Sequence, residues 1–201
     1  INNVEIITPD KKDEYLKKQT DFIPGVGIVV DNRKKTAETK TKNPFVERYT
    51  FDNFVMGKSN NYALLAAKTV AENPGGKYNP LFIYSGVGLG KTHLLFAIAN
   101  SLRKRYPSYR IVYIKSEDFM TELVAAIDTG FAPFREKYRK ADLLLVDDIQ
   151  FLAGKDRMQE EFFNTFETLH QAGKQIVLTC DRPPKEMAGL SDRLVSRFES
   201  G

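Results

Sequence analysis

The chain reads as an α/β protein, a three-layer arrangement of helices around a parallel sheet, and three observations predict it. Short apolar runs alternate with stretches of helical period, the pattern of strand-helix-strand units rather than of hairpins. One run passes through a glycine-rich turn straight into a helix, in "IYSGVGLGKTHLL" from Ile83 to Leu95. Another, "LLLVDD", is apolar at every position before its two acids, as a strand covered on both faces should be.

Residues Ile1 to Val30 offer a β-like run at Val4 to Thr8, a helix after Asp10, and an apolar run from Phe22 to Val30 broken by Pro24, Gly25 and Gly27. That is too little to form a core alone. From Asp31 to Lys42, "DNRKKTAETKTK" has no apolar period and the composition of a flexible linker. A boundary near Asn43 follows, with an N-terminal remnant and linker in 1–42 and the core in 43–201.

Within the core, Leu81 to Ser85 is a strand. Lys91 to Tyr106 is a helix with Leu94, Ile98 and Leu102 on one face, closed by Pro107. Arg110 to Lys115 is the second strand. Ser116 is placed to cap a helix carrying Phe119, Leu123 and Ile127, ended by Gly130, and Pro133 opens a shorter helix through Lys140. Leu143 to Asp147 is the third strand. Met158, Phe162, Phe166 and Leu169 mark a helix stopped by Gly173, and Gln175 to Cys180 is the fourth strand.

Composition narrows the function classes. No apolar run approaches the roughly 20 residues that a membrane helix needs, and the first residues lack the layout of a signal peptide. The expectation is a soluble, cytoplasmic protein with no membrane insertion. The single cysteine, Cys180, cannot form an internal disulfide and sits in an apolar strand, where a buried inert thiol is expected. A net charge of +4 permits contact with nucleic acid without requiring it. The chain starts at Ile1 rather than Met and stops at Gly201 after a charged helical stretch, so it is expected to be a piece of something longer.

The glycine-rich turn carries the chemistry. Gly86, Gly88 and Gly90 let successive N–H groups point inward around phosphate oxygens, and the positive end of the following helix adds to the attraction. Lys91 would reach the β and γ phosphates of ATP or GTP, and the Thr92 hydroxyl would hold Mg²⁺. Ser85 stands where the G-x-x-x-x-G-K-[ST] pattern has its first glycine; at the end of a strand, a small residue suffices. Asp147, at the tip of the third strand, is the second Mg²⁺ holder, and Asp148 is placed to orient the attacking water. Asp181, in "TCDRPP", either senses what is bound or serves the turn before Pro183 and Pro184. Arg193 and Arg197 lie one helical turn apart: surface charge, or arginines presented to a neighbouring subunit's γ phosphate. His93 and His170 each sit alone on a predicted helix with no metal-ligand spacing, and carry no role.

Together the stretches "NPFVERYTFDNFVMGKSN", "NPLFIYSGVGLGKTHLL", "LLLVDDIQFLAGKDRMQEEFFNTFETLH", "GKQIVLTCDRPPKEM" and "DRLVSRF" resemble the AAA+ ATPases, and within them the bacterial chromosomal replication initiators. They run through almost all of Asn43 to Gly201. The resemblance implies an AAA+ P-loop NTPase core that binds ATP or ADP with Mg²⁺, with the family's helical lid absent after Gly201. It implies that Tyr49 to Asn60 leads into the core against the adenine, with Phe51, Phe54 and Val55 apolar enough for that or for plain core. Gly88, Gly90, Lys91 and Thr92 match the nucleotide loop, Asp147 and Asp148 the metal and water acids, Asp181 the first sensor, Arg197 the arginine finger, and Arg193 the other arginine that supports assembly.

The resemblance also implies that the helix pair from Ser116 to Lys140 lines a channel for single-stranded DNA. Val124 matches an apolar position there, and Lys155 and Arg157 match basic positions facing the channel; on residues alone, those two read as caps of a solvated loop. The function expected is ATP-switched assembly into a helical oligomer on origin DNA, with single-strand engagement, duplex opening and slow hydrolysis. Duplex recognition would fall to a C-terminal domain absent here, and a replicative helicase would be recruited. A helicase loader and a regulatory AAA+ subunit are the alternatives.

Overall fold

The computed structural model describes residues 27–31 and 45–201. Five strands form one sheet: β1 (Ile28–Asp31), β2 (Leu81–Tyr84), β3 (Arg110–Lys115), β4 (Leu143–Asp147) and β5 (Gln175–Cys180). Their spatial order is β1-β3-β4-β5-β2, with β1 antiparallel to β3 and the other pairings parallel. Among the described residues six α-helices accompany them: α1 (Asn61–Glu72), α2 (Lys91–Arg105), α3 (Ser116–Thr129), α4 (Phe131–Arg139), α5 (Asp156–Gln171) and α6 (Asp192–Phe198).

Period-two alternation along the buried strands separates two cores. Ile111, Tyr113, Leu143 and Leu145 join Leu64, Val70, Leu95, Ile98 and Leu102 of α1 and α2 on one side. Val112, Ile114, Leu144 and Val146 join Phe119, Tyr138, Phe162, Phe166 and Phe198 of α3 to α6 on the other. The sheet is thus sandwiched between two helical layers, the three-layer fold expected.

The four expected strands are present, and helix ends moved for local reasons. The helix expected to reach Tyr106 stops at Arg105, because Tyr106 precedes Pro107 and is pushed out of the helical region to φ −125°, ψ 78°. Ser116, expected as a cap, is the first residue of α3; the extended Lys115 holds the cap position, and the Ser116 hydroxyl donates to the Asp148 carbonyl. α4 begins at Phe131, two residues before Pro133, whose missing N–H costs nothing in a first turn that has no acceptor for it. Gly173 does stop α5: its N–H bonds the His170 carbonyl and that of Lys174 bonds Leu169, the two bonds of a Schellman motif, with φ 66° at Gly173.

Two elements exceed the expectation. α1 was not expected at all; its buried stripe is built largely of Ala66, Ala67 and Ala71, small residues that give a weak apolar period. Ile28–Asp31, within the stretch assigned to remnant and linker, is the edge strand of the sheet, and Asp31 accepts a bond from Arg110 Nη1 at 2.7 Å. The run at Val4 to Thr8 and the helix after Asp10 lie outside the described residues.

Candidate nucleotide site

The carboxyl ends of β2, β5 and β4 lie side by side, with Tyr84 opposite Cys180. The glycine turn, Asp181 and Asp147 therefore share one edge of the sheet, where open α/β folds bind ligands. Ser85 extends the ladder by one bond, its N–H donating to the Cys180 carbonyl at 3.2 Å. Its φ is negative, so the backbone at the position of the pattern's first glycine suits any small residue. The turn's demand for glycine falls on Gly88 and Gly90, at φ 79° and 90°. At Gly90 a Cβ would also lie 2.8 Å from Phe54 Cε2. Lys91 Nζ donates to the carbonyls of Ser85 (2.9 Å) and Gly86 (3.1 Å), which holds the ammonium at the loop.

Beneath it, Thr92 Oγ1 donates to Asp147 Oδ2 at 2.7 Å. Asp147 is buried, 2% exposed, and also accepts from Tyr113 OH at 3.3 Å and from the Thr179 hydroxyl. Burial and the neighbouring carboxylate push the Tyr113 phenol far above its ordinary range, so it keeps its proton and donates it to Asp147. Adjacent ligands of octahedral Mg²⁺ at about 2.05 Å sit roughly 2.9 Å apart. The Thr92 and Asp147 oxygens already stand near that spacing, and both are hard donors, so the pair fits Mg²⁺.

Asp148 is, among the described residues, the non-glycine residue with positive φ, 57° with ψ 54°. Four bonds hold it there: its N–H to Thr179 Oγ1 at 3.0 Å, its carbonyl from the Ser116 hydroxyl and from the Phe151 N–H at 3.3 Å, and its Oδ1 from Gln150 Nε2 at 3.3 Å. A left-handed residue so clamped at the mouth of a site is locally strained, by about 1 kcal/mol for an aspartate. Asp181 lies beyond β5, between the Asp147 strand and the loop strand, and is gripped by Arg182 Nε at 2.9 Å and Nη2 at 2.8 Å. That hydrogen bonding holds its carboxyl below the usual range. Cys180 is fully buried with its thiol pushed up by burial, as befits an inert residue.

The segment before α1 is fastened to α2 by His93, a residue for which the sequence suggests no role. His93 Nε2 lies 2.7 Å from the Thr50 carbonyl, with Tyr49 stacked on its ring (4.7 Å) and Phe54 edge-on (5.2 Å). Asn100 Nδ2 adds bonds to the carbonyls of Val46 (3.2 Å) and Tyr49 (3.0 Å). The one signal in the sequence is the run of aromatics from Tyr49 to Phe54, which needs something flat to pack on. Phe51 is half-buried against the α1–α2 core, whereas Val55 is 85% exposed, so the two do not share an environment. His170 bonds the Asn79 carbonyl at 3.1 Å and lies on the far helix.

The remaining residues lie apart from the loop. Arg193 and Arg197 share one face of α6, against α5: Arg193 lies 4.7 Å over the Phe163 ring, and Arg197 Nε is 2.7 Å from Glu167 Oε1. Val124 on α3 is exposed beside Ile127. α3 packs against the turn Ile149–Leu152, which ends three residues before Lys155, so that Lys155 and the exposed Arg157 belong to the same end of the fold. α4 is held by two carboxylates, one on α3 and one on α5. Glu122 accepts from Lys137 Nζ at 2.6 Å and Tyr138 OH at 2.6 Å, and Glu161 of α5 accepts from Arg135 Nε at 3.1 Å and Arg139 Nη2 at 2.6 Å.

Comparison with known proteins shows what the chain is similar to. The family described as "Bacterial DnaA ATPAse domain" matches residues 45–201. The chromosomal replication initiator protein DnaA of Thermus thermophilus is 53% identical over 181 residues, 89% of this chain and 41% of the relative. The chain thus spans about two fifths of the length of that relative. Domain III of the Thermotoga maritima replication initiation protein DnaA superposes with a TM-score of 0.77 at 52% identity, covering 79% of this chain and 67% of that one. A replication initiator DnaA solved with AMPPCP and single-stranded DNA gives 0.74 at 49%, covering 77% of this chain and 48% of that one. The DnaC helicase loader, at 20% identity and a TM-score of 0.65 over 76% of this chain and 94% of that one, shares the fold.

Proposed function

The chain belongs to the bacterial DnaA ATPase-domain family, and from that premise we propose that it is the ATP-switched core of a chromosomal replication initiator. The observation that carries the nucleotide half is the Thr92–Asp147 bond of 2.7 Å, which sets two metal-holding oxygens under a glycine loop and a helix N-terminus. Mg²⁺ bound there with ATP would neutralise charge on the phosphate oxygens. Thr92 and Asp147 would hold it, with Tyr113 and Thr179 orienting the carboxylate. Lys91 would exchange the carbonyls of Ser85 and Gly86 for phosphate oxygens. His93 keeps the segment carrying Phe51 and Val55 beside the loop, where adenine would lie.

Asp148 would orient the attacking water, and its arm, one methylene shorter than glutamate's, makes hydrolysis slow, well under the enzyme median of about 10 per second. Asp181, held as an anion by Arg182, would report the γ phosphate. Arg197 of one copy would complete the nucleotide site of the next, with Arg193 supporting the contact, so that ATP favours a helical assembly. Val124 and Ile127 would meet bases of a single strand, and Lys155 and Arg157 its phosphates. The protein would act in the cytoplasm on origin DNA, with duplex recognition and engagement of the replicative helicase belonging to the intact protein. The helicase-loader reading has likeness of fold alone behind it.

The test uses the intact protein and a single-stranded oligonucleotide. Lys91→Ala should weaken ATP binding itself. Arg197→Ala should leave ATP affinity nearly intact and abolish ATP-dependent assembly; assembly at wild-type level would sink the reading.

A further inference from the structure

Arg197 does not stand free on α6. Its Nε lies 2.7 Å from Glu167 Oε1 and its Nη2 donates to Glu167 Oε2 at 3.2 Å. One turn earlier the pattern repeats, with Arg193 over Phe163, so that two residues spaced i, i+4 on α6 sit on two residues spaced i, i+4 on α5. Both helices are rigid supports. α5 is anchored through Met158, Phe162, Phe166 and Leu169, and α6 through Leu194 and Phe198, the latter stacked 5.5 Å from Phe82 of β2.

The edge of the guanidinium that is used matters. Glu167 accepts one hydrogen bond from Arg197, through Nη2, and its other oxygen lies in ion-pair contact with Nε, so the carboxylate loads the Nε–Nη2 side and takes no hydrogen bond from Nη1. A guanidinium can offer two parallel donors at either edge, so one edge can rest on a carboxylate while the other meets a phosphate. The burial is graded to match: the Glu167 side chain is 19% exposed and that of Arg197 43%. The carboxylate is held inside by the fold, with Gln171 Nε2 adding a long contact of 3.4 Å to Oε2, and the guanidinium reaches outward. An arginine without such a backing would spread over many rotamers, and ordering them would weaken any contact it makes in trans.

We propose that Glu167 is the positioning residue of Arg197: it holds the Nε edge so that the terminal edge is presented, preformed, to the γ phosphate of a nucleotide on a neighbouring copy. The inference rests on the reading of Arg197 as the residue that completes the neighbour's site. Glu167 itself touches no nucleotide, so its effect runs entirely through Arg197.

The experiment is sedimentation velocity of the intact protein in ATP and in ADP, for Glu167→Ala, Glu167→Gln, Glu167→Met, Arg197→Ala and the double variant Glu167→Ala/Arg197→Ala. Glu167→Ala should raise the concentration for half-assembly in ATP about tenfold. Glu167→Gln keeps an acceptor for the guanidinium and should recover most of that loss, whereas Glu167→Met, which keeps the methylene packing without an acceptor, should not; recovery by both would mark a packing role and overturn the proposal. In the Arg197→Ala background, Glu167→Ala should add nothing. ATP affinity and thermal midpoint should stay near wild type throughout, and Glu167→Met, which preserves the methylene packing, replaces Glu167→Ala if that variant does not fold. Normal or stronger assembly by Glu167→Ala, with Arg197→Ala defective, overturns the positioning role and leaves the Arg197 reading standing. An additive loss in the double variant also overturns it. Wild-type assembly by Arg197→Ala overturns both.

Discussion

Thr92 Oγ1 donates to Asp147 Oδ2 across 2.7 Å and 55 residues of sequence, joining the first turn of α2 to the tip of β4. The same carboxylate accepts from Tyr113 and Thr179, so that the hydroxyls of α2, β3 and β5 converge on one buried anion. The site is assembled by the register of the sheet rather than by any single segment.

Removing that anion should therefore cost stability as well as binding. Asp147→Ala leaves buried hydroxyls without an acceptor and should destabilise the fold by about 1–3 kcal/mol. Mg²⁺-dependent ATP binding, followed by calorimetry with and without the metal, should be lost. Retention of the Mg²⁺ dependence would refute the role given to Asp147.

His93 should matter to nucleotide affinity without touching a phosphate. With His93→Ala, Tyr49 and Phe54 lose the ring they pack on and Thr50 its partner. ATP affinity should fall about tenfold, roughly 1.4 kcal/mol. An unchanged dissociation constant would mean that the segment is held well enough by Asn100 alone.

Asp148 separates geometry from chemistry. Asparagine tolerates the left-handed region nearly as well as aspartate, so Asp148→Asn should fold and bind ATP normally while hydrolysis drops by about 10²-fold or more. Asp148→Ala should lose the same activity and an additional ~1 kcal/mol of stability. Single-turnover hydrolysis and a chemical melt distinguish the two effects; full hydrolysis by Asp148→Asn would remove Asp148 from the reaction.

Glu161 provides a pH test of the α4–α5 contact. Burial raises its pKa, but the hydrogen bonds and charges of Arg135 and Arg139 outweigh that and hold it below the ordinary 4.5. Its contribution is thus fully present above about pH 5 and fades as pH falls through the lowered folded value. Glu161→Gln should be less stable than wild type by about 1–2 kcal/mol at neutral pH, a figure kept small because Arg135 is half exposed. The gap should close in acid, and a gap independent of pH would show that the charge contributes nothing.

Lys155 and Arg157 should reveal themselves through salt. For a single-stranded oligonucleotide, replacing either by alanine should flatten the dependence of log K on log salt by roughly 0.7 for each phosphate no longer neutralised. Val124→Ser should weaken binding with little change of slope. Unaltered slopes would return Lys155 and Arg157 to the role of loop caps.

The strands, the glycine turn and most helix stops were legible to within a residue because each is set by neighbours in sequence: the two-residue period of buried strands, the left-handed demand at Gly88, Gly90 and Gly173, and the stop imposed by Pro107. The positions of Lys91, Asp147 and Asp148 at the loop and the strand end were legible for a related reason, since they occupy fixed offsets from strand ends. α1 escaped because alanine gives a weak apolar signal, and β1 because its apolar run is broken by Pro24, Gly25 and Gly27 and the four residues that pair carry too little pattern. What only the tertiary structure decided are the pairings between distant segments. His93 under Thr50, Glu167 under Arg197 and Asp147 under Thr92 depend on sheet register and helix docking, and those are set by the burial of the two apolar cores, an energy summed over the whole chain that no local stretch encodes.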